Sequence, residues 1–264
     1  MTDEQILAEA RHIREMYNND AKQKSFNALI LGELGSGKTF ILRTARKPVH
    51  IDSFDHGGTK CLQEYIDKGE IVVDTRFESE DRLEPSMYQL WKTEFERRRT
   101  MGYFDNIGTY AIDSSTSWAE AIMNRILQKA GIAGQAPRFT KDYTPQKTEI
   151  FNMLSRCLDL SCDFILTGHL EQYEDAVDKT IRYRFMVTGK GTIIIPTKFD
   201  EIYVLVPKET SEDVNYRLLT KNTGTYTARS RLSKGGLLKT YEKPDIKEIL
   251  RKAGMSTEDK PLLA

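Results

Sequence analysis

Apolar positions along the chain follow two periods, and the change from one to the other marks out its elements. Between residues 4 and 17, Ile6, Leu7, Ala10, Ile13 and Tyr17 fall on one face at spacings of three and four with charges elsewhere. That spacing predicts an amphipathic helix, a lid or packing element ahead of the main fold. Short apolar runs follow. "FNALILG" (26–32) is stopped by glycine, and a helical stretch runs from Lys38 to about Arg46. "PVHIDSF" (48–54), "GEIVVDTRF" (69–77), "IGTYAIDSS" (107–115) and "CDFILTGH" (162–169) read as further strands. Helices are expected between them over about Pro85–Arg99, over "SWAEAIMNRILQKAG" with Lys129 in its last turn and Gly131 as C-cap, and over 149–160. Strands alternating with helices predict a mainly parallel sheet covered on both faces.

After His169 the pattern shortens. "FMVTGKGTIIIP", "EIYVLVP", "NYRLLT" and "TYTARSRL" are β-rich and joined by turn-like segments, so the sheet is expected to continue with antiparallel strands. The domain division that follows is an N-terminal amphipathic helix over 1–22, an α/β core over 23–240, and a basic C-terminal helix and tail over 241–264.

Composition narrows the partners. Lys plus Arg equals Asp plus Glu at 39 each in 264 residues, so a polyanion would have to be met by a local patch. Cys61, Cys157 and Cys162 form no CxxC pair and leave an odd count, which points to reduced thiols rather than a disulfide framework or a zinc site. The first 17 residues are charged throughout, and no apolar run approaches the ~20 residues of a membrane helix. A cytosolic protein without a membrane partner is expected.

The chemistry enters with "GELGSGKT". Residues 32–39 match GxxxxGK[ST] in full, between a predicted strand and a predicted helix. Gly35 and Gly37 let successive N–H groups face inward as a nest for phosphate oxygens. Lys38 offers a positive charge to the β- and γ-phosphates, and the Thr39 hydroxyl is placed to ligate Mg²⁺ where the helix begins. The expected nucleotide-binding set is Gly32, Gly35, Ser36, Gly37, Lys38, Thr39 and Phe40, with ATP and Mg²⁺ as ligands.

A P-loop needs a metal partner, and Asp113 at the end of "TYAIDSS" supplies one beside Thr39. The alternative is that Asp113 only caps the next helix, a role Ser114, Ser115 or Ser117 could equally fill. Hydrolysis also needs a group to orient water. Ser114, not glutamate, follows Asp113, and "HIDSFDHGG" offers Asp55 or Asp52 instead; otherwise Asp52 is a strand-end cap and Asp55 part of a turn.

In order, "GELGSGKT", "IDSFDHGG", "YAIDSST", "FILTGH" and "ARSRL" resemble the RecA-like core. They are most similar to phage-encoded RecA-like P-loop ATP-binding proteins associated with single-strand annealing and recombination. The similarity spans Phe26 to Leu232. It implies a RecA-like P-loop NTPase fold, a catalytic acid from the strand after the P-loop helix, and His169 as the polar sensor of the γ-phosphate; a lone strand-end histidine is otherwise a core residue.

The resemblance also implies two DNA-holding loops, here 131–146 and 171–191. The first offers Arg138, Phe139, Lys141 and Tyr143, the second Lys179, Arg182, Tyr183, Arg184, Phe185 and Lys190, cations and rings that suit a single strand. The alternative for "IRYRF" is an edge strand facing solvent, and Glu171, Glu174, Asp175 and Asp178 would repel phosphates. Arg231, within a group that includes Arg229 and Lys234, is implied to reach a neighbouring subunit's γ-phosphate; a solvated or DNA-facing basic patch is the other reading.

The expected catalytic set is thus Lys38, Asp55, Asp113, His169 and Arg231, and the expected DNA-binding set Arg138, Lys141, Lys179, Arg182 and Arg184. Phe54 stands where a RecA-type chain usually places glutamate, and an extra DNA-pairing domain has no room, which argues against robust strand exchange. The expected function is a Mg·ATP-dependent ATPase acting on single-stranded DNA in phage recombination or replication. It would assemble as a homo-oligomeric ring or filament in the bacterial host cytoplasm, with a phage single-strand-binding or annealing protein as a further partner. The alternative is a P-loop nucleotide switch or small-molecule kinase without DNA.

Overall fold

The computed structural model describes residues 2–20, 24–176, 178–187, 191–209 and 214–263. Its centre is β1 (Asn27–Gly32), six residues all buried. A strand covered on both faces sends alternate side chains into opposite layers. Leu29 and Leu31 accordingly enter one core cluster, and Ala28 and Ile30 the other.

Around β1 stand β2 (Val49–Ser53), β3 (Ile71–Asp74), β4 (Thr109–Asp113), β5 (Asp163–Glu174) and β7 (Glu201–Glu209). They pair in parallel in the order β7-β1-β5-β4-β2-β3. β8 (Val214–Leu219) and β10 (Tyr241–Glu242) extend the sheet antiparallel beyond β7, β9 (Arg229–Ser230) pairs with the start of β7, and β6 (Ile181–Phe185) pairs antiparallel with the far end of β5. This is the expected RecA-like P-loop NTPase architecture, a mainly parallel sheet flanked by helices with antiparallel strands toward the C-terminus.

Helices α4 (Met87–Thr100), α5 (Ser115–Lys129), α6 (Phe139–Leu158) and α7 (Gly191–Thr197) cover one face. Trp91, Phe95 and Trp118 are fully or almost fully buried there. On the other face lie α2 (Lys38–Ile41), α3 (Gln63–Asp67) and α8 (Ile246–Lys252), whose Ile246, Ile249 and Leu250 are buried with Ile30 and Leu205. The C-terminal helix is therefore packed into the same core as β1, and β10 pairs with β8 at the edge of the sheet.

Several expectations change. The N-terminal helix α1 (Asp3–Asn19) forms, closed by a Thr2–Gln5 capping box, but it buries no residue and is not a packing element of this chain. α2 gives way after one turn to a 3₁₀ segment at Leu42–Thr44. α6 begins ten residues earlier than its apolar period suggests, because Asp142 accepts from the Arg138 N–H (2.7 Å) and guanidinium (2.8 Å) and closes the first turn.

Residues 191–197, rich in isoleucine and expected as strand, are helical. A segment linking β5 to β7 has to cross the sheet face so that β7 runs parallel to β1, and packing of Ile195 in the core overrides strand propensity. β7 is parallel to β1 on one side and antiparallel to β8 on the other, so one strand after His169 still belongs to the parallel part. "TYTARSRL" contributes only the two-residue β9.

Candidate nucleotide site

β1 ends at Gly32, where a Cβ would come within 2.2 Å of Ser36 Oγ, so the loop folds back closely over the strand end and Ser36 would have to shift for a larger residue. Gly35 and Gly37 have φ of 72° and 86°, the left-handed conformations the loop needs. Lys38 opens α2 and is buried; its Nζ donates to the carbonyl oxygens of Gly32 (3.1 Å) and Glu33 (2.8 Å). Burial pushes the Lys38 pKa below its ordinary value, against the pull of Asp113, Asp55 and Glu33. Ser36 Oγ is buried without a hydrogen-bond partner among the described residues. A phosphate offers acceptors to both groups, so the loop fits the ligand its sequence implies.

The Thr39 hydroxyl donates to Asp113 Oδ2 at 2.6 Å, although the two residues lie on different elements. Asp113 ends β4, is buried, and takes a second hydrogen bond from the Thr167 hydroxyl of β5. Burial pushes its carboxyl up, with Thr167 and Thr39 pulling it back. Asp113 does not cap the following helix. The N-cap is Ser114, and its hydroxyl makes no capping bond.

That hydroxyl goes to Asp55 Oδ1 instead, at 3.0 Å, and is joined there by the Ser117 hydroxyl. Asp55 Oδ2 lies 3.4 Å from His169 Nε2. Burial pushes the Asp55 carboxyl up, but hydrogen bonds from His169, Ser117 and Ser114 outweigh it and hold the group below the usual carboxylate range. Backbone contacts from the N–H groups of Phe54 (2.6 Å) and Asp55 (3.4 Å) to the Asp113 carbonyl lock the two strand ends together. The loop, Asp55, Asp113, Ser117 and His169 line one cleft of about 630 Å³. Phe40 lines it too, with the Arg43 guanidinium 4.1 Å from its ring centre.

Asp52 is elsewhere. Fully buried, it accepts from Trp91 Nε1 (2.9 Å), the Tyr110 hydroxyl (2.6 Å) and Arg98 (2.8 Å), and lies 2.9 Å from His50 Nε2. It is a polar knot under the sheet, which leaves Asp55 as the water-orienting candidate. Ser117 and Thr167 were not expected as site residues; the serines after Asp113 were visible only as caps.

The two expected DNA loops are regular structure in part. Residues 139–146 belong to α6, with Arg138 paired to Asp142 at 2.8 Å and Lys141 exposed. The segment after His169 continues β5 and returns as β6. Its cations are paired within the hairpin, Lys179 to Glu174 (3.3 Å), Arg182 to Asp175 (3.4 Å) and Asp178, and Arg184 to Glu171 (2.8 Å). Lys190 lies outside the described residues. Arg231 pairs with Asp200 at 2.8 Å beside the start of β7, whereas Gly32 aligns with Leu205. Arg231, level with Asp200, is therefore about 16 Å along the sheet from its own P-loop, at the opposite strand ends.

Fold and site together define a P-loop ATPase of RecA-like architecture. Residues 24–232 match the AAA domain family AAA_24, and the chain belongs to that family. No curated protein shows a significant match. Among many similar solved structures is a KaiC-like protein, PH0186, from the hyperthermophilic archaeon Pyrococcus horikoshii OT3. It is 14% identical, and the alignment covers 79% of this chain and 84% of that one with a TM-score of 0.44. Membership of the family implies nucleotide binding. Among the described residues no helix is long and apolar enough to cross a membrane.

Proposed function

We propose that this chain hydrolyses Mg·ATP with Asp55 as the base that orients the attacking water, and that hydrolysis is coupled to single-stranded DNA during recombination or replication. The convergence of Lys38, Thr39–Asp113 and Asp55–His169 on one cleft carries the reading. Lys38 exchanges its two carbonyl acceptors for phosphate oxygens, and the Ser36 hydroxyl gains the acceptor it lacks. Mg²⁺ held by Thr39 and Asp113 would supply positive charge against the β- and γ-phosphates. Asp55 is ionised throughout the neutral range, as a base must be, and Ser114 and Ser117 fix its direction.

Coupling follows from continuity. His169 lies on the strand that runs unbroken into the β5–β6 hairpin, so a shift of the Asp55–His169 contact is transmitted to Arg182, Tyr183 and Arg184. DNA phosphates would replace the hairpin carboxylates as partners of these cations. Arg231, far from its own site, is assigned to the site of a second copy in a ring or filament.

The paired state of the hairpin cations favours one competing reading, a nucleotide switch or small-molecule kinase without DNA. An ATPase assay with and without single-stranded DNA, with Lys38→Ala as control, separates them. Stimulation by DNA that weakens with salt supports the proposal. Turnover indifferent to DNA at low and high salt sinks the DNA coupling and leaves the switch.

A further inference from the structure

Asp55 sits on a turn rather than within a strand, and a turn has to be held in place. The Gly58 N–H donates to the Asp55 carbonyl at 3.0 Å and closes residues 55–58, with Gly57 between them at φ 66°, a value that favours glycine. Asp55, His56, Gly58 and, a few residues on, Cys61 line the nucleotide cleft. Two adjacent glycines leave this backbone many other conformations, and the Asp55 N–H reaches the Asp113 carbonyl only at 3.4 Å.

Glu78 anchors the turn from behind. It follows Phe77, whose ring stacks on Phe54 with centres 5.5 Å apart, so the segment after β3 is packed against the end of β2. From there the Glu78 side chain, only 10% exposed, presents Oε2 to the Gly57 N–H, which donates to it at 3.0 Å. His56 Nδ1 lies 3.9 Å from the same oxygen. Glu78 is not among the residues that line the cleft, so its influence on a bound nucleotide passes through the turn.

The other carboxylate oxygen separates stability from function. Glu78 Oε1 is buried without a hydrogen-bond partner among the described residues. An oxygen in that state costs folding free energy, so packing alone does not favour a glutamate at this position. What the position gains from it is an acceptor aimed at the Gly57 N–H. Ser114, Ser117 and His169 fix the Asp55 carboxylate, and Glu78 fixes the backbone that carries it.

We infer, on the reading that Asp55 is the base, that Glu78 is a positioning residue: it holds the 55–58 turn so that the Asp55 carboxylate stands where it orients the attacking water. A misplaced catalytic group loses rate without losing substrate, and a displacement of about 1 Å is enough for ~10²-fold.

Two substitutions test this role. Glu78→Ala removes the acceptor, whereas the amide oxygen of Glu78→Gln can still accept from Gly57. Glu78→Ala is expected to lower kcat by about 10- to 100-fold with the KM for ATP near the wild-type value, and Glu78→Gln to stay within about threefold of wild type. In an Asp55→Asn background Glu78→Ala should cost little further, because both changes remove the work of the same group. Wild-type kcat in Glu78→Ala, a Gln variant as slow as the Ala variant, or losses that multiply in the double variant would each overturn the proposal.

A second readout needs no turnover. Cys61 is the exposed thiol of the 3₁₀ segment Gly58–Leu62; it donates to the Gly58 carbonyl at 3.7 Å, and burial pushes its pKa up. A loosened turn exposes more thiolate, so maleimide labelling of Cys61 should quicken by about threefold or more in Glu78→Ala and keep the wild-type rate in Glu78→Gln. Labelling unchanged in both variants rules the positioning role out. Asp55→Asn alone reports on the base: if it turns ATP over at the wild-type rate, the base reading fails and the role of Glu78 fails with it. If Asp55→Asn is slow while Glu78→Ala is normal, the base stands and only the role of Glu78 is lost.

Discussion

His169 Nε2 lies 3.4 Å from Asp55 Oδ2, and this contact joins the middle of β5 to the turn after β2, two strands that are not neighbours, across the end of β4. Ser114 and Ser117 occupy the other carboxylate oxygen, so every direction in which Asp55 can turn is set by a named partner.

Replacing the proposed base should separate chemistry from binding. Asp55→Asn is expected to lower kcat by ~10²–10⁴ with little change in the KM for ATP. Because the folded pKa of Asp55 is depressed, wild-type turnover should persist below the usual carboxylate range and fall only as pH drops through that lowered value. His169→Ala removes the main hydrogen bond that lowers it, so the acidic limb of the kcat profile should move to higher pH. A limb that stays in place would show that His169 does not set the ionisation of Asp55.

For the loop itself, Lys38→Ala is expected to abolish turnover while leaving the thermal unfolding midpoint near that of the wild type. Thr39→Ala should weaken the dependence on Mg²⁺ more than nucleotide binding without metal. Titration with a fluorescent ATP analogue, with and without Mg²⁺, measures both.

Asp52 gives the contrasting case, a carboxylate that matters for stability and not for chemistry. Burial pushes its pKa up, but His50, Arg98 and Tyr110 hold it below the usual carboxylate range. Its contribution is therefore complete above that range and is lost as pH falls through the depressed value. Asp52→Asn leaves Arg98 with reduced compensation and should cost about 3–5 kcal/mol in urea unfolding, with ATP affinity unchanged if the fold is retained.

Arg231 is tested by mixing. Arg231→Ala alone should bind ATP but turn it over slowly, and mixing it with Lys38→Ala should restore part of the activity, since hybrid contacts join an intact P-loop to an intact arginine. Mixtures no more active than their components would remove the shared site.

Much of this site was readable before any coordinate. The P-loop, Asp113 and Asp55 all sit where an apolar strand meets a polar turn, and that boundary is written locally in "LILGELGSGKT", "YAIDSS" and "HIDSFD". The early start of α6 rests on a local bond, Arg138 to Asp142, that the apolar period does not reveal. The helical 191–197 segment and the continuation of β5 past His169 depend on partners distant in sequence, since Ile195 packs against the core and Leu170–Glu174 extend because Ile181–Phe185 pair with them.

The sequence by itself determined the alternating strands and helices, the left-handed glycines of the loop and the type of ligand they hold, since period, turn chemistry and motif act over a few residues. Only the tertiary structure separated Asp55 from Asp52. Three positions apart on one strand and turn, they point to opposite fates, one into the nucleotide cleft with His169 and two serines, the other into a buried knot with Arg98. Which carboxylate faces the cleft and which meets a guanidinium depends on α4, α5 and β5 folding over β2 from far along the chain.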